Sequence, residues 1–203
     1  MGLGSRLFEV PWVYDSFQNA IYRTGQRNRF VVDLINPLPG LRFLDVGCGT
    51  ADILKHLPDV DYLGVDSNED YISVARTRFG QRGSFLVSDI RASDLFARGE
   101  FDRVLLLGVL HHLSDQECGD LLSRLAPMLR SDGFLVTLDP AYENNQNPIS
   151  RLISRTDRGR FVRHHEKYRA ILGQYFAVEK ESVKSDFLRL PSCTAVFRLA
   201  PKS

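Results

Sequence analysis

A glycine turn that directly follows a short apolar strand constrains this chain more than any other feature. The predicted strand covers residues 41–46, and the turn Gly-Cys-Gly at 47–49 leads into helix-compatible residues at 51–57. Glycine has no Cβ, so such a turn brings bare backbone N–H groups close to a ligand at the start of a helix. A second apolar strand ends in Asp66, where an acid can accept hydrogen bonds from both hydroxyls of a ribose. These features predict a nucleoside-containing cofactor on a Rossmann-like sheet, with a purely structural turn as the alternative.

The order of predicted elements favours an α/β fold. Strands and helices alternate along the chain, which is typical of a parallel sheet covered by helices on both faces. A capping box, with Glu117 three residues after Ser114, marks the start of one helix. Strands are predicted at 41–46, 61–66, 84–88, 102–107, 133–139, 175–183 and 193–199, and helices at 51–57, 68–79, 91–98, 115–129 and 165–173.

Length, charge and cysteine content exclude several classes of protein. The 203 residues suit one domain, and the net charge of +1 gives no general attraction to nucleic acid or to a membrane surface. The three cysteines are far apart and lack C-x-x-C spacing, which favours free thiols in a reducing compartment over a disulfide frame or a metal site. No apolar run approaches the roughly 20 residues that span a bilayer. We therefore expect one cytoplasmic domain over residues 1–203, without a metal, nucleic-acid partner or membrane insertion.

The spacing after the glycine turn argues against a dinucleotide cofactor. A dinucleotide fingerprint reads G-x-G-x-x-G, and its third glycine would fall at Asp52. A carboxylate at the start of the helix would repel a pyrophosphate, which disfavours an NAD-dependent oxidoreductase. The observed pattern from Asp45 to Ala51, D-x-G-x-G-x-A, instead resembles the first motif of the class I S-adenosylmethionine (SAM) methyltransferases. Ala51 replaces the last glycine of that motif, a small departure.

Three later motifs carry the same resemblance in the order that the family has them. Residues 84–90 are similar to a third strand that ends in Asp-Ile, although an acid there also commonly caps a turn. Residues 101–113 are similar to the family's fourth strand and its following turn, here Val-Leu-His-His-Leu. Residues 125–133 resemble L-x-P-x-L-x-x-x-G, a helix end that leads into the fifth strand.

The resemblance implies a fold and a cofactor site. It implies a seven-stranded Rossmann-like sheet of order 3-2-1-4-5-7-6, with the last strand antiparallel. The apolar pattern of residues 12–36 predicts amphipathic helices, which would form an N-terminal cap. Residues 140–164 would form an insertion after strand five. Both would close over the substrate, although 12–36 could instead only pad the sheet. The residues implied to bind SAM, with S-adenosylhomocysteine (SAH) as product, are Asp45, Gly47, Cys48, Gly49, Asp66, Ser67, Asp89, Ile90, Leu107 and Gly108.

Methyl transfer requires alignment of the acceptor and, when the acceptor is a hydroxyl, a base. His111 is the candidate base because it follows strand four, with support of the turn as the alternative. Tyr14 is a candidate to cover the cofactor or orient the acceptor, with burial in the core as the alternative. Four arginines between residues 155 and 163 predict that the acceptor carries an anionic group, with a solvated loop face as the alternative. The candidate substrate-binding residues are Tyr22, Tyr142, Arg155, Arg158, Arg160 and Arg163.

The sequence thus predicts a SAM-dependent methyltransferase that acts on a small-molecule acceptor. An RNA or protein methyltransferase and a non-catalytic SAM-fold binding protein stay open as alternatives. Residues 139–142, Asp-Pro-Ala-Tyr, resemble a motif of enzymes that methylate amino groups in DNA. That motif follows the fourth strand, whereas here it follows the fifth, so we do not assign a nucleobase site to it.

Overall fold

The computed structural model describes residues 30–89, 100–144, 146–156, 159–185 and 192–202. Within these residues the chain forms one mixed sheet with helices. The strands are β1 (Arg42–Val46), β2 (Asp61–Asp66), β3 (Ser84–Val87), β4 (Phe101–Leu107), β5 (Leu129–Tyr142), β6 (Arg163–His164), β7 (Phe176–Lys184) and β8 (Thr194–Pro201). The α-helices are α1 (Glu69–Phe79), α2 (Asp115–Leu125), α3 (Pro148–Thr156) and α4 (His165–Tyr175).

The strand order confirms the predicted fold class. Seven strands lie in the order β3-β2-β1-β4-β5-β8-β7, and the two-residue β6 pairs with the far end of β5. With β6 set aside, this is the order 3-2-1-4-5-7-6. Strands β1 to β5 are parallel, whereas β8 runs antiparallel to both of its neighbours.

Most predicted elements shift by one or two residues, the helix expected at 115–129 ends at Leu125, and the helix expected at 91–98 lies outside the described residues. Two further differences have a clear physical reason. The helix expected at 51–57 is a short 3₁₀ helix, Asp52–His56, because Ala51 before it is left-handed and Pro58 soon follows. Strand β5 extends beyond the expected 133–139 at both ends. Leu129 pairs with Phe101, and Tyr142 pairs with β6, so neighbouring strands supply hydrogen bonds along the added length.

The sheet separates two apolar cores, one on each face. Helices α2 and α4 supply residues such as Leu122 and Leu172 to one core, where they pack against alternate residues of the strands. Helix α1 and the 3₁₀ helix supply Ile72 and Leu54 to the other core. The capping box of α2 is present as expected: Ser114 accepts a hydrogen bond from the N–H of Glu117, whose carboxylate accepts from the N–H of Ser114.

The two segments expected near the acceptor are described in part. A π-helical turn at Val31–Ile35 follows the buried Phe30, and Ile35 is also buried, whereas residues 12–29 lie outside the described residues. In the segment 140–164, the first residues complete β5, α3 follows, and Arg163 begins β6. No helix in the described part of the chain is long and apolar enough to cross a membrane.

Candidate cofactor site and catalytic pair

The glycine turn after β1 is held in place by β2 and by the turn after β4. The N–H groups of Gly47 and Cys48 both donate to the carbonyl oxygen of Val65, at 2.8 Å and 3.0 Å. Gly47 and Gly49 have φ values of +74° and +55°, in the left-handed region that favours glycine. A Cβ on Gly47 would lie 2.7 Å from Cγ2 of Val109. The turn therefore needs glycine both for its conformation and for its close packing.

The carboxylate of Asp66 is tied to this turn. One oxygen of Asp66 accepts from the N–H of Gly49 at 2.9 Å, and the other accepts from the N–H of Asn68 at 2.9 Å. An ionised carboxylate offers about four lone-pair positions, so these two bonds leave acceptor capacity for ribose hydroxyls. Ser67 lies between Asp66 and Asn68, in the turn that leads into α1. The predicted ribose acid is thus fixed in position at the carboxyl end of β2.

Asp45 is a buried carboxyl group with an unusual environment. One oxygen accepts a hydrogen bond from the Tyr62 hydroxyl at 2.6 Å, and the other has no hydrogen-bond partner among the described residues. Burial raises the pKa of Asp45 to about 7, the Tyr62 hydrogen bond opposes the rise, and the nearby charge of Asp66 adds to it. A buried, unpaired oxygen beside a glycine turn fits a cationic ligand such as the sulfonium or the ammonium of SAM.

The other predicted cofactor residues lie along the same edge of the sheet. Asp89 is exposed and follows β3, which is parallel to β2 and so places Asp89 and Asp66 at neighbouring strand ends. Gly108 has a φ of +79° and donates its N–H to the carbonyl of Leu138 at 2.6 Å, at the end of β4 that carries Leu107. Burial raises the pKa of the Cys48 thiol, and the backbone N–H of this residue is bonded to Val65. Ile90 lies outside the described residues.

His111 forms a buried pair with Asp139. Nδ1 of the imidazole lies 2.7 Å from one Asp139 oxygen, and the backbone N–H of His111 donates to that oxygen at 3.1 Å. Burial raises the pKa of the Asp139 carboxyl, and the hydrogen bonds from His111 oppose the rise. Because an ionised carboxylate only accepts hydrogen bonds, a neutral imidazole here carries its hydrogen on Nδ1 and its lone pair on Nε2.

Strand register brings this pair together. His111 lies in the 3₁₀ turn Leu110–His112 that follows β4, and Asp139 lies near the end of β5. Leu107 pairs with Leu138, so the residue after Leu138 faces the turn that follows Leu107. A Cβ on Gly108 would lie 3.7 Å from Cε1 of His111, which places the imidazole beside the predicted methionine end of the cofactor site.

Arg163 is not available to an acceptor, which corrects the prediction made for it. Its side chain is buried, and its guanidinium donates to the carbonyls of Leu110, Leu113 and Phe161 at 2.9, 2.6 and 2.9 Å. Its Nε also donates to a carboxylate oxygen of Asp115 at 2.9 Å. Because these hydrogen bonds occupy the guanidinium, Arg163 binds other parts of this chain and not a substrate.

The remaining substrate candidates are only partly described. Tyr142 is half-buried at the end of β5, with its ring centroid 5.7 Å from that of His164. Arg160 is exposed and directly follows Gly159, which contacts His111. Arg155 lies in α3. Tyr14, Tyr22 and Arg158 lie outside the described residues.

Sequence reasoning missed Asp139 and Tyr62 as site residues. Asp139 follows the mostly apolar residues 134–138 of β5, which pairs with β4, and His111 lies in the turn after β4, so the position of Asp139 in the pattern could have revealed it. No local pattern marks Tyr62, because its partner Asp45 lies on a neighbouring strand. Within the described ranges, no group of three or more His, Cys, Asp or Glu residues could hold a metal ion.

Known proteins share sequence with this chain. Residues 43–133 match the family model described as a methyltransferase domain. The ubiquinone biosynthesis O-methyltransferase of Bradyrhizobium diazoefficiens is 33% identical over 124 residues, which are 59% of this chain and 46% of that protein. The protein of the same name from Cereibacter sphaeroides is 38% identical over 128 residues, which are 58% of this chain and 48% of that protein. The chain thus spans less than half the length of these curated relatives.

Solved structures share the fold at low sequence identity. A TehB-like SAM-dependent methyltransferase from Corynebacterium glutamicum has a TM-score of 0.71 and 18% identity, over 98% of this chain and 100% of that chain. The magnesium protoporphyrin IX methyltransferase from Synechocystis PCC 6803, solved with bound SAH, has a TM-score of 0.64 and 18% identity, over 100% of this chain and 89% of that chain. Residues 43–133 thus match a methyltransferase domain, and the chain has the Rossmann-like fold of the SAM-dependent methyltransferases, as the motifs predicted.

Proposed function

We propose that this chain is an enzyme that binds SAM and transfers its methyl group to a hydroxyl oxygen of a small molecule. The observation that carries the proposal is the buried pair of His111 and Asp139, 2.7 Å apart, beside Gly108 at the end of β4. A base oriented by a carboxylate is needed when the acceptor loses a proton as it is methylated, as a hydroxyl does. The proposed oxygen acceptor follows from that need.

The carboxyl ends of the first four strands would hold the cofactor. Asp66 would accept from the ribose hydroxyls, Asp89 from the adenine amino group, and the 47–49 turn would lie against the methionine part. The charge of Asp45 would oppose the positive charge of the ligand. When bound, SAM supplies a methyl carbon that the positive sulfur has already activated.

The acceptor would be deprotonated by His111. Its Nε2 would accept the hydroxyl proton, while Asp139 keeps the Nδ1–H tautomer and stabilises the imidazolium that forms. Both side chains are buried, so the charge interaction is stronger than it would be in water. A positioned base of this kind contributes roughly 10²- to 10⁴-fold to the rate.

The names of the relatives support an oxygen acceptor, since both compared curated proteins are described as O-methyltransferases. An anionic group on the acceptor is a further part of the proposal and now rests on Arg160 among the described arginines. Arg160 is exposed and adjacent in sequence to Gly159, which contacts the His111 ring. Tyr142 would line the same side of the site from the end of β5.

Substitution of the pair tests the proposal. First, calorimetry with SAM and SAH measures cofactor binding. We then expect His111→Gln to lower kcat for a hydroxyl acceptor by roughly 10²- to 10⁴-fold, with little change in the SAH dissociation constant. Asp139→Asn should lower kcat as well, because an amide can donate to Nδ1 and so favour the unproductive tautomer.

A matched control is His165→Gln on α4, where the His165 ring stacks on Phe197 with centroids 4.9 Å apart. This variant should keep its kcat. Absence of SAM and SAH binding at millimolar concentration would refute the enzyme proposal and favour a non-catalytic role. Normal turnover by His111→Gln would instead refute the base and point to an acceptor that needs no deprotonation.

A further inference from the structure

We propose that Arg163 is a positioning residue for His111: it clamps the turn that carries the imidazole to the segment after α3. This inference rests on the proposed function, since it concerns the proposed base. His111 lies within residues 43–133, which match the methyltransferase family model, whereas Arg163 lies outside them. A residue outside the matched region would thus position a residue inside it.

The clamp consists of hydrogen bonds to the backbone around His111. The Arg163 guanidinium donates to the carbonyls of Leu110 and Leu113, one before and one after His111 in the chain. The His111 carbonyl accepts from the N–H of Phe161 at 2.9 Å, and Arg163 donates to the Phe161 carbonyl as well. The segment 159–163 thus binds three carbonyls of the turn region, and the guanidinium provides two of those bonds.

Close packing reinforces the hydrogen bonds. A Cβ on Gly159 would overlap Cδ2 of His111 and would lie 2.6 Å from the His111 carbonyl oxygen. The backbone of Gly159 therefore lies directly against the imidazole. Movement of this segment would move the ring, because no space separates the two.

Electrostatics explain why the residue is an arginine. Three carbonyl oxygens converge on one buried point, where their partial negative charges favour a cation. The planar guanidinium has five N–H donors in a fixed fork, so it can bond several carbonyls at once, whereas a lysine ammonium cannot reach them in that geometry. Asp115 neutralises the buried charge, and the pKa of its carboxyl is lowered by hydrogen bonds from Lys167 and Arg163.

The effect on His111 follows from its two contacts with Asp139. The ring Nδ1 and the backbone N–H of His111 both lie within hydrogen-bond distance of the same Asp139 oxygen, so the ring orientation depends on the backbone position. Loss of the Arg163 bonds would let the turn shift and would lengthen the Nδ1 contact. A displacement on the order of 1 Å can lower the rate of an aligned reaction by about 10²-fold.

The test combines a spectroscopic and a kinetic measurement on Arg163→Met and Arg163→Lys. In the ligand-free protein, ¹H–¹⁵N spectra of the imidazoles should show His111 as the Nδ1–H tautomer with a strongly downfield proton. We expect the Arg163→Met variant to lose that resonance at temperatures at which the variant is still folded. With a hydroxyl acceptor, its kcat should fall roughly 10²-fold while the SAH dissociation constant changes less than about threefold.

Lys167→Met is the matched control. Lys167 is the second cation on Asp115, at 2.8 Å, and within the described ranges it bonds no carbonyl of the turn. This variant should keep the His111 resonance and kcat. Arg163→Lys keeps the charge without the fork, so we expect an intermediate loss, and it serves as the measured variant if Arg163→Met does not fold.

Two outcomes would overturn the inference. A His111 resonance and kcat that stay unchanged in the folded Arg163 variants would leave Arg163 a purely structural residue. Equal losses in Lys167→Met would assign the effect to Asp115 and not to the carbonyl clamp. If the wild-type protein methylates no acceptor, the proposed function fails, whereas the spectroscopic comparison still decides whether Arg163 positions His111.

Discussion

At the scale of single residues, two buried acids have the most unusual environments in the described part of the chain. Asp45 and Asp139 lie at the ends of strands inside the protein, each with one oxygen hydrogen-bonded and the other without a partner among the described residues. Burial raises the pKa of both carboxyls. A carboxyl group with a raised pKa destabilises the folded protein wherever it must ionise. Under the proposed function, the bound cofactor would offset this cost for Asp45, and His111 would offset it for Asp139.

Asp45 predicts that the ligand-free protein becomes less stable as the pH rises from about 4 to about 7. Below this window the carboxyl is protonated in both the folded and the unfolded chain. Within it, the folded state retains a proton that the unfolded chain has released, because the pKa is raised from 3.8 to about 7 in the fold. Above this window Asp45 is ionised in the folded state as well, and its ionisation lowers the free energy of unfolding by about 4 kcal/mol.

Asp45→Asn should therefore raise the free energy of unfolding by up to about 4 kcal/mol at neutral and alkaline pH, since the amide can still accept from Tyr62. The gain should vanish near pH 4. Urea unfolding of both proteins without ligand, across this pH range, checks the prediction. A stability difference that does not vary with pH would show that Asp45 is ionised in the fold throughout.

At the scale of elements, the glycine turn after β1 combines a left-handed conformation with a close contact. Gly40 offers a comparison, since its φ of +80° is similar to the +74° of Gly47, yet a Cβ on Gly40 would meet no atom within 4 Å. The two positions thus share the conformational cost of a side chain, but only Gly47 adds the approach to Val109.

We expect Gly40→Ala to lower the free energy of unfolding by about 1–2 kcal/mol, the cost of a left-handed alanine. Gly47→Ala should lower it further and should also weaken SAH binding, because the added Cβ displaces the turn from Val109. Thermal unfolding and calorimetry of both variants measure the two effects. Equal stability and equal SAH affinity in the two variants would contradict a tightly packed turn.

At the scale of the whole molecule, the sheet keeps its two cores apart. Leu122 on α2 and Ile72 on α1 are both fully buried, in the cores on opposite faces. Each change to alanine should lower the free energy of unfolding by about 2–5 kcal/mol. Because the two side chains belong to separate cores, the double variant should equal the sum of the single variants within about 0.5 kcal/mol.

Chemical unfolding of the two single variants and the double variant tests this independence. Substitution by valine at both positions provides a milder set if the alanine double variant does not fold. A coupling energy well above about 0.5 kcal/mol would mean that the two faces respond as one packed unit.

The order of elements could be predicted because local patterns encode it, and the same patterns gave the candidate cofactor site. A glycine turn after an apolar strand, and acids at the ends of the next two strands, depend on residues close in sequence. Parallel strands place their carboxyl ends at one edge, so Asp66 and Asp89 could be assigned to that edge before any contact was known. Strand lengths were less accurate, since β5 gains hydrogen bonds from distant partners at both of its ends.

The proposed catalytic pair and the proposed role of Arg163 depend instead on contacts between distant parts of the chain. His111 and Asp139 are 28 residues apart and meet only because β4 and β5 pair in one register. Arg163 lies 53 residues from the Leu110 carbonyl that it binds. Its charge suggested that it binds a substrate, but its side chain is buried and binds the backbone of the turn instead. Side-chain chemistry defined what these residues can do, whereas packing determined which neighbours they do it with.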